Sequence, residues 1–188
     1  MRVAGSTLLR NLAGSIGVLC TVAGLAVGLP ALDRALPAQR PVGKGTYPVG
    51  GGVTVTPPPD ARLDVTLTRP GDTRGTAVFL VGTVRYVIVV TPFQGTLPEA
   101  TERLRRKITA VRGHELTGQQ FPVSTATGLA GVQGTYAAPG RGGRYLVFAG
   151  DGVAIEVTVA GTAPALRDAL PAIEASTKTI AHRRGGTA

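Results

Sequence analysis

Residues 144–160 read RYLVFAGDGVAIEVTVA, and this stretch decides the fold. Two runs rich in branched and aromatic side chains flank Gly150, Asp151 and Gly152, a composition typical of a β-hairpin. A second pair of runs covers residues 76–81 and 84–91, and Gly82 opens the two-residue turn between them. Because a hairpin joins two antiparallel neighbours, the sequence predicts a mainly antiparallel sheet.

Two segments outside these hairpins have the helical period instead. Thr96 and Glu99 form a capping-box signature, and an apolar stripe continues from them to Gly113. A last helix begins near residue 162, and Pro171 within it predicts a kink or two abutting helices. Further strand signals lie at residues 52–56, 62–67, 119–123 and 129–136. The sequence therefore predicts an α+β domain, a mainly antiparallel sheet covered by two amphipathic helices.

Residues 11–32 form the other informative segment, since none of them is charged. About 20 helical residues cross the hydrocarbon core of a bilayer, so the segment is long enough to span it. A cleaved signal peptide is the alternative, but this apolar run is longer than such peptides carry, and no good cleavage site follows it. We predict a leader at 1–10, a transmembrane helix or uncleaved signal anchor at 11–32, a Pro/Gly-rich linker at 33–51, the domain at 52–182 and a disordered tail at 183–188.

The balance of basic residues around this segment does not decide its orientation, because two precede it and three follow closely. Long trailing domains are exported largely regardless of charge. We therefore expect a single-pass protein of the bacterial cytoplasmic membrane with an extracytoplasmic C-terminal domain. Gly17, Gly24 and Gly28 fall on one helical face, where a second membrane helix could contact them and form a homodimer.

Two short motifs in the domain resemble a known family. Residues 53–59 read VTVTPPP and residues 131–136 read GVQGTY, and the 145–159 hairpin leads into the last helix with Ser176 near its end. Over about residues 48–182 the chain resembles the Mog1/PsbP-like domains of actinobacterial cell-envelope lipoproteins and membrane proteins. The resemblance implies an antiparallel sheet flanked by helices that serves as a binding or assembly module without catalysis.

The residues that could carry chemistry are few. Cys20, in the apolar segment, is the only cysteine, so the domain has neither a disulfide framework nor a thiolate metal site. Ser124 does not lie in a nucleophile elbow, and His114 follows a helix-terminating glycine where a cation helps to satisfy helix carbonyls. We predict no enzyme activity, no catalytic residue, no metal site and no cofactor. The alternative is an exported enzyme that uses His114 with an acidic partner.

Basic side chains are the remaining candidates for a site. From residue 50 onward there are 15 Lys and Arg against 10 Asp and Glu, and no aromatic residue lies within the basic cluster at 103–112. Nucleic-acid binding by base stacking is therefore not expected. The candidate residues for contact with an anion or lipid are Arg103, Arg106, Lys107, Arg141 and Arg144.

The leading hypothesis is a membrane-anchored envelope protein with a non-catalytic binding or assembly domain, with another envelope protein as a candidate partner. Docking of the 103–112 helix onto anionic lipid or wall polymer is a further alternative.

Overall fold

A computed structural model of the chain describes residues 38–43 and 45–183. The predicted leader, the 11–32 segment with Gly17, Gly24 and Gly28, and residues 184–188 of the predicted tail lie outside the described residues. Within the described part, none of the helices has the length and apolar character needed to cross a membrane.

An eight-stranded sheet forms the centre of the domain, and every neighbouring pair in it is antiparallel. In spatial order its strands are β1 (Gln39–Pro41), β4 (Arg62–Asp64), β5 (Gly75–Val81), β6 (Val84–Pro92), β10 (Val153–Gly161), β9 (Arg141–Gly150), β8 (Ala130–Ala138) and β7 (Glu115–Ser124). Tight turns join β5 to β6, β8 to β9 and β9 to β10. The first turn has Gly82 at a φ of +58°, and the last has both Asp151 and Gly152 at positive φ. These values match the turns that the sequence predicts.

One helix covers each face of this sheet. Helix α1 (Leu97–Thr109) begins with the predicted capping box, in which Thr96 and Glu99 bond to each other's backbone amides. Helix α2 (Ala163–Lys178) continues through Pro171 as one helix, so the alternative of two abutting helices is wrong. Alternate residues of β9 point to opposite faces, so Tyr145 packs beneath α1 and Leu146 beneath α2. The predicted α+β class, with two helices on a mainly antiparallel sheet, is confirmed.

A second, three-stranded sheet forms next to α2. It contains β2 (Tyr47–Gly50), β3 (Val53–Val55) and β11 (Ala181–His182), with β3 in the centre. Strands β1 and β2 both lie in the segment that the sequence assigns to a linker, and Val49 is fully buried. Both sheets therefore include strands that lie before residue 52, where the sequence predicts the domain to begin. These strands are only three or four residues long, so their pairing depends on contacts that local sequence does not reveal.

Glycines in β8 and β9 make room for aromatic rings. A Cβ atom at Gly134 would lie 2.4 Å from the Tyr145 ring, and one at Gly143 would lie 2.3 Å from the Tyr136 ring. The glycine-rich segment at 140–144 is mostly strand, since β9 begins at Arg141. The outer strand β7 carries a bulge between Thr117 and Phe121, followed by Pro122.

Candidate binding cleft

An apolar cavity lies between α2 and the sheet, with a volume of about 210 Å³. Six hydrophobic and six polar or charged side chains line it, and most of the lining surface is apolar. The apolar residues are Val123, Leu146, Phe148, Val159, Leu170 and Ile173, and the polar residues used below are Gln133, Arg144, Glu174 and Lys178. We call this set of residues the α2 cleft.

Two sequence periods bring the α2 cleft together. Strand β9 contributes Arg144, Leu146 and Phe148, which are two residues apart and therefore share a face. Helix α2 contributes residues 170, 173, 174, 177 and 178, the spacing of one helical stripe. Gln133 joins them because it lies opposite Leu146 in the β8–β9 register. The α2 cleft is therefore a consequence of the packing between α2 and this face of the sheet.

The charges of the α2 cleft are unevenly matched. Arg144 donates a hydrogen bond to Glu174, which ties β9 to α2 and neutralises one cation. Within the described part of the chain, neither the Lys178 ammonium nor the Gln133 side-chain amide has a partner. The α2 cleft thus presents one unmatched positive charge and one free amide beside an apolar cavity.

Tyr86 fixes the inner side of the α2 cleft. Its hydroxyl lies 3.0 Å from the Thr177 hydroxyl, which itself donates to the Ile173 carbonyl over 2.8 Å. Since the Thr177 proton is used in that bond, Tyr86 is the donor to Thr177. Burial is the main cause that raises the pKa of Tyr86, to about 12, so the phenol is neutral at physiological pH. This hydrogen bond holds α2 against β6.

A shallow depression of about 360 Å³ adjoins the α2 cleft and shares Gln133 and Arg144 with it. Phe121 lies in this depression with 57% of its surface exposed. Large exposed aromatic side chains are common anchors at protein interfaces. The α2 cleft therefore opens toward a surface that offers a further apolar contact.

Two of the predicted anion-facing residues of α1 are bound within the domain. Glu156 on β10 is almost fully buried, and it pairs with Arg103 at 3.0 Å and Lys107 at 2.8 Å. Arg103 also donates to Thr91 and lies 4.7 Å from the centre of the Phe93 ring. These contacts attach α1 to the sheet.

The other predicted basic residues do not form one site. Arg106 is exposed on α1. Arg141 and Arg144 lie three residues apart on β9, so the pleat directs them to opposite faces of the sheet. Of the five candidates, Arg144 alone lines the α2 cleft.

His114, the residue of the enzyme alternative, lies on the α1 side of the sheet. Its ring stacks on Tyr136 with 5.9 Å between the ring centres, and its Nδ1 atom is buried with no hydrogen-bond partner among the described residues. Residues 38–43 and 45–183 contain no group of three or more His, Cys, Asp or Glu side chains able to hold a metal ion. In that part of the chain, no carboxylate is paired with His114.

Solved structures with a similar fold are known. The solution structure of cyanobacterial PsbP (CyanoP) from Synechocystis sp. PCC 6803 aligns with a TM-score of 0.50 and 13% identity, over 77% of this chain and 91% of that chain. The domain has a PsbP-like fold. The fold that the sequence resemblance implies is therefore confirmed. No protein-family model and no curated protein matches the sequence.

Two further structures align less closely. One is the crystal structure of PA94 from Pseudomonas aeruginosa, a protein of unknown function, with a TM-score of 0.46, 19% identity, and coverage of 70% of this chain and 98% of that chain. The other is a crystal structure from Bacteroides thetaiotaomicron, with a TM-score of 0.42, 15% identity, and coverage of 77% and 50%. At these identities the PsbP-like domain is similar to them in fold alone, and a fold does not determine a function.

The sequence interpretation missed Gln133 and Lys178. Lys178 lies beside the apolar face of the last amphipathic helix, so its position was available as a signal. Gln133 gave no such signal, because a single polar residue in a strand is compatible with either face. The α2 cleft draws on five separate elements, and only the tertiary fold brings them together.

Proposed function

We propose that this chain is a single-pass envelope protein whose extracytoplasmic PsbP-like domain binds a ligand or partner through the α2 cleft without catalysing a reaction. The α2 cleft carries the proposal, because an apolar cavity with a few polar groups is the usual form of a small binding site. The uncharged segment at 11–32 supports the membrane anchor, and the resemblance to actinobacterial envelope proteins supports the location.

Site-specific photo-crosslinking in intact cells tests binding through the α2 cleft. A photoreactive amino acid replaces Gln133, and in a matched control it replaces Arg106, which is exposed on the opposite face. We expect a discrete adduct from position 133 that disappears when Leu170→Trp fills the cavity. Adducts of equal yield from both positions, or an adduct that L170W leaves unchanged, would contradict the proposal.

The membrane topology has its own test. A C-terminal fusion to an enzyme that is active only outside the cytoplasm should be active, and a fusion to a fluorophore that matures only in the cytoplasm should be dark. The reverse pattern would place the domain inside. Recovery of the intact chain in a detergent-free soluble fraction would exclude the anchor.

The two alternatives are tested by single substitutions. If the chain were an enzyme using His114, His114→Ala should abolish its cellular role while leaving the fold intact.

If α1 docked onto anionic lipid, Arg106→Glu should weaken binding to vesicles that contain anionic lipid, and added salt should do the same. Arg103 and Lys107 are less suited to such docking because Glu156 already holds them.

A further inference from the structure

We propose that the α2 cleft binds an unbranched alkyl carboxylate of about eight carbons, with the chain in the cavity and the carboxylate at Lys178. This inference rests on the proposed function, since it names the ligand class of the same cleft. Three observations carry it: the apolar lining, the size of the cavity and the unmatched charge at its rim.

The size of the cavity limits the apolar part of the ligand. A dry cavity of about 150 Å³ lined by Leu, Ile and Phe holds benzene, a six-carbon group. Pockets for drug-sized molecules have about 300–1,000 Å³. At about 210 Å³, the α2 cleft has room for one short chain and not for a fused ring system. Its aliphatic residues, with Phe148, can contact such a chain on several sides.

The charges at the rim select the head group. Glu174 already neutralises Arg144, whereas Lys178 has no anionic partner among the described residues. The net charge at the rim is therefore positive, which favours a carboxylate and disfavours an ammonium group. The free Gln133 amide adds a neutral donor beside the same cavity.

Photolabelling of the full-length protein in lipid nanodiscs tests this assignment. The probe is octanoate with a diazirine near its methyl end, and labelled residues are located by mass spectrometry. We expect label on the tryptic peptide 168–178, which carries the cleft face of α2. The peptide 108–112 follows Lys107 on the opposite side of the sheet and serves as the internal control.

Competitors of different length and charge test the two halves of the ligand. Between butyrate, hexanoate and octanoate, each two-carbon step should lower the concentration that blocks labelling about 15-fold, because each buried methylene contributes about fourfold. Octylamine, which has the same tail and the opposite charge, should compete more weakly than octanoate. Equal competition by octylamine and octanoate, or no dependence on length, would overturn the proposal.

Two variants separate the cavity from the rim charge. Leu170→Trp should reduce labelling at least tenfold by filling the cavity. Lys178→Gln replaces an exposed residue, so the fold should be retained, and the labelled tryptic peptide then extends to Arg183. It should weaken competition by octanoate about threefold while leaving octanol unaffected. Arg106→Gln, which removes the same charge on the other face of the sheet, should change neither the labelling nor the competition by octanoate. An unaltered response to octanoate in K178Q would remove Lys178 as the head-group site.

A short peptide is the main competing occupant. If a tripeptide with a C-terminal leucine blocks labelling better than octanoate does, the α2 cleft binds a peptide terminus and the proposal is wrong. Failure of labelling together with a cleft-specific adduct at position 133 in cells would reject the alkyl carboxylate but keep the proposed function. Failure of both experiments would reject both.

Discussion

At the scale of single residues, the most informative side chain is Glu156. A carboxylate within a sheet face is costly unless cations compensate it, and two side chains of α1 supply that compensation. The sequence predicts Arg103 and Lys107 as candidates for contact with an anion or lipid. The sequence did not reveal Glu156 as their partner, because it lies some 50 residues away on a strand otherwise rich in valine.

Replacement of Glu156 therefore tests how α1 is attached. Glu156→Gln leaves both cations without their anion, and we expect the free energy of unfolding to fall by about 2 kcal/mol. The loss is moderate because the cations are partly exposed. The matched control is Glu102→Gln, which breaks an exposed pair with Arg105 and should cost less than about 0.5 kcal/mol. If urea unfolding gives equal losses of free energy for E156Q and E102Q, Glu156 is not the specific anchor of α1.

Tyr86 predicts a dependence of stability on alkaline pH. The folded state holds the phenol proton up to a pKa of about 12, whereas the unfolded chain releases it near pH 10. The contribution of Tyr86 to the free energy of unfolding is therefore fully present below about pH 10. It falls by roughly 2–3 kcal/mol as the pH rises toward about 12.

Unfolding of Tyr86→Phe at a series of pH values checks this contribution. The variant should lose about 1 kcal/mol at neutral pH, because the hydrogen bond to Thr177 is gone. Its stability should also fall less steeply above pH 10 than that of the original chain. An identical alkaline slope in both proteins would assign the titration to other groups.

At the scale of elements, the glycines of β8 and β9 are part of the packing. Gly143→Ala would place a methyl group within 2.4 Å of the Tyr136 ring and the Val159 carbonyl oxygen. Because the Tyr136 ring must be displaced, we expect the free energy of unfolding to fall by about 2–3 kcal/mol. Gly142→Ala, in the same strand, meets no atom closer than 3.9 Å and should be close to neutral in thermal unfolding. A loss of the same size at both positions would point to strand propensity as the cause.

The elements differ in how far local sequence determines them. The hairpins around Gly82 and Asp151, and the start of α1 at Thr96, were predicted because alternation, turn residues and a capping box are local signals. Local sequence does not show that Gly143 is required by the Tyr136 ring on the neighbouring strand β8, so the start of β9 at Arg141 is not predicted. Strand β7 begins earlier than predicted, at Glu115, in a polar stretch without alternation.

At the scale of the whole molecule, the segment that follows β3 is joined to the C-terminal end of α2. Ser176 donates to the Thr56 carbonyl over 2.6 Å, and the Thr56 amide donates to the Thr179 hydroxyl over 2.8 Å. These bonds connect the end of β3 to the end of α2. The pairing of β11 with β3 reinforces the same junction.

Loss of one of these bonds should loosen that junction. Thr179→Val keeps the shape of the side chain and removes its acceptor, so the Thr56 amide should exchange with deuterium at least tenfold faster. Thr109→Val removes a hydroxyl that bonds only within α1, and it should leave the exchange of Thr56 unchanged. Unchanged exchange of the Thr56 amide in T179V would show that the loop is held by other contacts.

The two outermost strands of the large sheet affect how the domain aggregates at high local concentration. One has only three residues and ends in Pro41, and the other carries a bulge and Pro122. Neither offers a long, regular row of free amides, so neither is a good template for adding strands from another molecule. We therefore expect crowded copies of the domain not to grow into fibrils by adding strands at these edges, although strand residues outnumber helical residues in the described part of the chain.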